Sequence, residues 1–253
     1  MEWPREWREL KRVVWIRTGA LGDLFVGLAA LAEMANAFPQ ARVTVVGPRL
    51  WLSAISPLAF PFVEKIAAVE RRGHQAAIFV AQGFEWVPTG ESLSVTEVLS
   101  RCDGVVNLNI DSYRYGFSAL RARVPVRVGS APNPMSVLLY THSSPFFGKD
   151  PLIHERDAAL SVLEYATSDW RRLIWSVAGN RRRLPELISS SRLIEKWRKV
   201  GLPPVKTADP LRAAEVTGCD AGKYFLVNPT SSRKTNTWPV EKFRKFLSAT
   251  KED

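Results

Sequence analysis

The chain has 253 residues, 46% of them hydrophobic, and a formal net charge of +10, which allows one large or two small domains with a sizeable core and favours anionic partners such as nucleotide phosphates, acidic glycolipid, membrane headgroups or nucleic acid. Two cysteines, Cys102 and Cys219, exclude a disulfide framework, and the scattered His74, His142 and His154 give no zinc-ligand spacing. No stretch reaches the ~20 apolar residues of a membrane span, and the mixed-charge start MEWPREWRELKR is not a signal peptide. The expectation is a reduced, cytoplasmic chain without a structural metal, touching a membrane only peripherally.

In chain order, RVVWI (12–16) reads as a strand and about 23–37 as a helix. Between them lies RTGALGDLF (17–25), with Gly19, Gly22 and Asp23. A strand-to-helix loop offers free backbone N–H groups and the positive end of a helix dipole to an anion, and glycines let ligand atoms approach the backbone. The spacing G-x-x-G-D is neither the dinucleotide fingerprint nor a P-loop. Asp23 reads in two ways: as an N-cap, or as a general base toward a substrate hydroxyl if a cleft lies above the loop.

RVTVVG (42–47), EKIAAV (64–69) and AAIFVA (76–81) read as strands. A helix near 94–101 follows, then a strand at GVVNLNI (104–110), a helix at 113–122 and a strand at 125–131. Short apolar strands alternating with helices predict βαβ units and a mostly parallel sheet. Residues 132–153, rich in Pro, Ser and aromatics, read as loop, and 154–166 as an amphipathic helix.

Residues 167–188 read as irregular and basic, and 189–201 as a helix capped by serines. Residues 171–206 carry ten Lys/Arg against two Glu. That excess reads either as a solvated helix face or as a patch for an acidic partner, with Arg181, Arg182 and Arg183 the candidates for acceptor or membrane contact.

After a proline-rich linker (202–210) the opening plan returns: a strand at 223–228, a polar loop and a helix at 238–249. The loop carries Thr230, Ser231, Ser232, Arg233 and Lys234. Hydroxyls and cations before a helix make either a diphosphate cradle or an ordinary polar surface loop.

RTGALGDLFVGLAAL with FPQARVTVVG, followed by VNPTSSRKTNTWPVEKF, resembles in order the two signatures of glycosyltransferase family 9, the ADP-heptose:lipopolysaccharide heptosyltransferases and their relatives. HERDAALSVLEYA falls where that family has a helix beginning near a His. The resemblance runs from about 12 to 250. It implies an α/β, GT-B fold of two Rossmann-like domains, with the acceptor mainly on the first and the nucleotide sugar on the second. It implies that Asp23 is the general base of an inverting transfer, and that Ser231 and Ser232 hold the donor phosphates. The donor would be a nucleotide-diphospho-sugar, ADP-heptose by family default, and the acceptor an acidic glycolipid of lipopolysaccharide core type. No cofactor or metal is implied.

The sequence departs from the pattern where Asn236 stands in place of the family lysine, and the family's later donor-binding motif does not occur before Asp253. Lys234 or Arg233 would have to replace that cation. The expected organisation is an acceptor-side Rossmann-like domain over 1–166, a basic linker region over 167–210, and only the start of a nucleotide-sugar domain over 211–253. Two rivals stand beside the transferase: a truncated or degenerate, non-catalytic family member that binds glycan only, and a basic nucleic-acid-binding protein. The second has charge in its favour but no recognisable motif, so no nucleic-acid partner is expected.

Overall fold

The computed structural model describes residues 3–19, 21–70, 75–109, 113–145, 154–178 and 184–200. Chain contacts divide the protein into two units, Met1–Lys206 and Thr207–Asp253, and every described residue lies in the first. The expected second Rossmann-like domain, the loop from Thr230 to Lys234, and Arg181 to Arg183 lie outside the described residues.

The unit is built on eight strands: β1 (Arg12–Ile16), β2 (Arg42–Pro48), β3 (Val63–Val69), β4 (Gln75–Gln82), β5 (Glu85–Ser94), β6 (Gly104–Asn107), β7 (Val126–Ala131) and β8 (His142–Pro145). Their order across the sheet is β5-β4-β3-β2-β1-β6-β7-β8. Six strands run parallel, and β4 and β5 are an antiparallel hairpin on one edge. The mostly parallel α/β sheet is therefore as expected.

The helices are α1 (Arg5–Arg8), α2 (Leu21–Ala37), α3 (Val95–Ser100), α4 (Tyr113–Arg121), α5 (Pro134–Leu139), α6 (Glu155–Glu164), α7 (Arg171–Ala178), α8 (Leu184–Ser190) and α9 (Arg192–Val200). They cover both faces. Val13 and Trp15 of β1 join a core with Leu24, Leu28 and Leu31 of α2 and Leu160 and Leu163 of α6. Val14 and Ile16 join the opposite core with Leu99 of α3 and Tyr115 and Ala119 of α4. Burial on both sides explains why β1 is a continuous apolar run rather than an alternating one.

Several expectations are corrected. Residues 132–153, read as loop, contain α5 and β8. Pro134 opens α5 rather than breaking it, because the first helical position needs no N–H, and Asn133 caps it by accepting from Met135 N at 3.0 Å. β8 has the sequence HSSP, yet all four residues are buried; its backbone is paired with β7 and, through Ser143, with Thr167. Residues 167–188, read as irregular, contain α7 and the greater part of α8, which ends at Ser190. The sequence does not announce the hairpin strand β5, because EWVPTGESLS has no apolar run, and an edge strand tolerates its Pro88 and Gly90.

The basic α9 is fastened to the domain by its charges. Glu33 of α2, buried at 2% exposure, accepts from Trp197 Nε1 at 2.8 Å and from Lys196. Asp157 of α6, also buried, pairs with Arg198 at 3.1 Å. Ser191 caps the helix by accepting from Ile194 N at 3.0 Å, as the serine run predicts. Arg171 pairs with Asp169, and Arg172 donates to the carbonyls of Tyr140 and Thr141. Lys196, Arg198 and Arg172, members of the basic excess, tie elements together.

Candidate functional site

The chain leaves β1 toward β2 on one side and returns through α3 to β6 on the other, so the crossover direction reverses between β1 and β6. Ligands of open α/β sheets bind outside the carboxyl ends of the strands at such a point. Here those ends carry Arg17, Thr18 and Gly19 after β1, and Leu108 and Asn109 after β6.

The two ends are tied by hydrogen bonds. Leu108 N donates to Ile16 O at 2.9 Å. Asn109 Oδ1 accepts from Thr18 N at 2.9 Å and from Thr18 Oγ1 at 3.3 Å, while Asn109 Nδ2 is buried with no hydrogen-bond partner among the described residues. Asn107 Oδ1 accepts from Asn109 N, and Asn107 Nδ2 donates to the Tyr140 hydroxyl at 2.6 Å. Burial pushes the Tyr140 phenol up to about 12, so it stays protonated at neutral pH.

α2 begins at Leu21, which makes Asp23 its third residue and not its N-cap; in the first turn its negative charge still meets the positive end of the helix dipole. The Asp23 carboxylate lies against Gly19: a Cβ on Gly19 would fall 1.8 Å from Asp23 Oδ2. Only a glycine leaves room for that approach. Gly22 differs, since it is exposed and a Cβ there would meet nothing within 4 Å.

Arg17 completes the cluster. Its side chain is 9% exposed. Nη1 donates to Leu108 O at 2.6 Å. Nη2 reaches two carboxylates, Glu155 Oε2 at 2.9 Å and Asp23 Oδ1 at 3.4 Å. Glu155 is the first residue of α6, and the His154 before it caps that helix by accepting from Arg156 N at 3.1 Å. One buried guanidinium thus joins the ends of β1 and β6 to the N-termini of α2 and α6.

Of the expected site residues, Asp23, Gly19 and Gly22 lie together at this crest. Arg17, Asn109 and Glu155 were not read as site residues. Arg17 adjoins the loop motif, and two asparagines interrupting the end of an apolar strand are a detectable signal. Glu155, 138 positions from Arg17 in sequence, gave none.

A cavity of about 690 Å3, lined by Trp3, Tyr165, Trp170, Ile174 and Trp175 among others, opens at the far end of α6, about 15 Å along that helix from Glu155. It shares no residue with the crest. Among the described residues no group of three or more His, Cys, Asp and Glu is placed to hold a metal, and no helix is long and apolar enough to cross a membrane.

No protein-family model matches the chain, and no curated protein matches its sequence. Solved structures do match in fold. A glycosyl transferase of family 9 from Veillonella parvula superposes with a TM-score of 0.55 at 15% identity, over 93% of this chain and 57% of that one. The Escherichia coli heptosyltransferase WaaC with ADP gives 0.50 at 17% identity, over 94% and 64%. The described unit thus shares its fold with these glycosyltransferase structures, and the chain spans about three fifths of their length.

Proposed function

We propose that the protein is a glycosyltransferase that moves a sugar from a nucleotide-diphospho-sugar to the lipopolysaccharide core or a related surface glycan, with inversion. The observation that carries this reading is the Asp23 carboxylate seated against Gly19 at the switch point of a sheet whose fold is that of family 9 transferases. In this reading Asp23 takes the proton of an acceptor hydroxyl. The hydroxyl oxygen forms the new bond to the anomeric carbon as the bond to the diphosphate breaks, and the nucleoside diphosphate leaves with the electron pair. ADP-heptose is the donor that the sequence resemblance suggests, and WaaC is the heptosyltransferase solved with ADP. Thr230, Ser231, Ser232, Arg233 and Lys234 are proposed to hold the donor phosphates, with Arg233 or Lys234 standing in for the family lysine that Asn236 replaces. Arg181, Arg182 and Arg183 are proposed to meet an acidic glycolipid or the anionic inner leaflet, in a cytoplasmic protein associated peripherally with the membrane.

The test is transfer from ADP-heptose to a lipopolysaccharide-core acceptor by the wild type and by Asp23→Asn. A general base contributes ~10²–10⁴-fold, whereas Asn keeps the size of Asp. Loss of transfer in a folded Asp23→Asn protein supports the reading; full activity removes Asp23 from the mechanism. Binding of acceptor glycan by a wild type that makes no product would favour the non-catalytic alternative instead.

A further inference from the structure

Asp23 and Glu155 compete for one nitrogen, Arg17 Nη2, and the competition is unequal: 2.9 Å to Glu155 against 3.4 Å to Asp23. Nη1 is anchored at 2.6 Å on the Leu108 carbonyl, which leaves Nη2 of the buried group to be shared between the two carboxylates. Charge-assisted N–H···O bonds are strongest at ~2.7–2.9 Å, so Glu155 takes the short bond and Asp23 the long one.

We infer that Glu155 is a positioning residue: by holding Arg17 it keeps the guanidinium from closing on Asp23, leaving that carboxylate oriented yet available to a substrate hydroxyl. This rests on the transferase reading of Asp23. Glu155 acts through Arg17, from the N-terminus of a different helix, and its own side chain is 62% exposed.

The experiment uses the full chain with Glu155→Gln, Arg17→Met and the double variant. Steady-state transfer is measured from ADP-heptose to a lipopolysaccharide-core acceptor, and crystal structures of the wild type and Glu155→Gln are compared. Glu155→Gln is expected to lower kcat about 10-fold, part of what a general base supplies, with acceptor KM unchanged. The Arg17–Asp23 separation should shorten to ~2.8 Å. In the Arg17→Met background Glu155→Gln should have no further effect, since the two act as one unit. If Arg17→Met fails to fold, Arg17→Lys replaces it, because a single ammonium cannot span both carboxylates as the guanidinium fork does. An unchanged Arg17–Asp23 separation, an effect confined to KM, or an undiminished effect without Arg17 overturns the assignment. A wild type that transfers nothing defeats the transferase reading alone, and the crystallographic separation still decides what Glu155 does.

Discussion

Gly19 has no side chain because Asp23 occupies its place: the carboxylate Oδ2 lies 1.8 Å from where a Cβ would stand. The G-x-x-G-D spacing is therefore a contact. The first glycine lets the acidic residue of the following helix turn fold back onto the loop. Gly19→Ala is expected to push the Asp23 carboxylate aside. On the proposed reading of Asp23 as general base, a displacement of about 1 Å costs ~10²-fold in rate, so transfer should fall by that order while the fold persists. Crystallography of the variant checks the displacement, and kinetics the loss.

Gly22 should behave in the opposite way. It lies in the first turn of α2, exposed, with open space where its Cβ would be. An alanine there favours helix over glycine by up to ~1 kcal/mol. Gly22→Ala should therefore leave the thermal midpoint unchanged or raised. If transfer nevertheless falls, the added methyl is meeting substrate, and the space above Gly22 belongs to the site. A drop in the thermal midpoint would contradict the open geometry.

Glu33 should matter more than its charged partner, Lys196. It is buried at 2%, whereas Lys196 is 46% exposed and can return to water. Trp197 Nε1, at 2.8 Å, cannot. Glu33→Ala removes the acceptor from a buried indole N–H and leaves a void; about 2–3 kcal/mol of stability should be lost. Lys196→Ala takes the cation from a buried carboxylate that keeps its Trp197 and Asn36 donors, and should cost less, about 1–2 kcal/mol. Urea unfolding of the two variants checks the ranking. Equal losses would mean that the α2–α9 tie is mainly the ion pair.

The Glu33 network shows what could be read from the sequence and what could not. The apolar strand RVVWI and the loop after it were legible because a strand buried on both faces leaves a continuous apolar signal, and because G-x-x-G-D is a local motif. The serine cap of α9 was legible for the same reason. The charges of α9 were legible only as an excess, since their acidic partners Glu33 and Asp157 belong to helices far away in sequence. The same holds at the site. Gly19 and Asp23 are neighbours in the chain, but Arg17 meets Leu108 and Glu155 across separations of 91 and 138 residues, which periodicity does not record. β8 shows another limit: HSSP is buried through strand pairing, with no apolar side chain except the proline ring to announce it.

Cys102 should be chemically quiet. Its thiol donates to Leu99 O at 3.0 Å, and burial, assisted by the nearby Asp103 charge, pushes it up to about 12. The thiolate is the reactive form, so almost none is present at neutral pH. Peptide mapping after brief exposure to iodoacetamide at pH 7.5 should find Cys102 unmodified in the native protein and modified after unfolding in urea. Rapid labelling under native conditions would show that the segment carrying it opens far more readily than its packing implies.

His142 gives the protein a pH dependence on the acid side of neutrality. The ring is buried beside Trp7, with Nε2 3.0 Å from Glu6 Oε1 and Nδ1 3.0 Å from Thr141 Oγ1. Burial holds its pKa below the ordinary 6.5; Glu6 pulls it back up in part, and the Arg172 charge adds to the lowering. A histidine whose folded value is depressed binds its proton more readily unfolded. Its contribution to stability is complete above about pH 6.5 and is lost as pH falls from there through the folded value. Glu6, lowered from 4.5 chiefly by its backbone hydrogen bond, and Asp103, lowered from 3.8 chiefly by its hydrogen bond from Arg12 against the cost of burial, lose their contributions only at lower pH. The interval from pH 7.5 to 5.0 therefore isolates the histidine from these two carboxylates. Unfolding free energies from urea titrations should decline across that interval in the wild type, with a slope no steeper than the ~1.4 kcal/mol per pH unit that one proton permits. His142→Gln should be less stable at pH 7.5 because a packed ring is lost, but its profile should be flatter. If the two profiles fall in parallel, the proton taken up on unfolding belongs to another group, and the buried His142–Glu6 contact is not what sets acid stability.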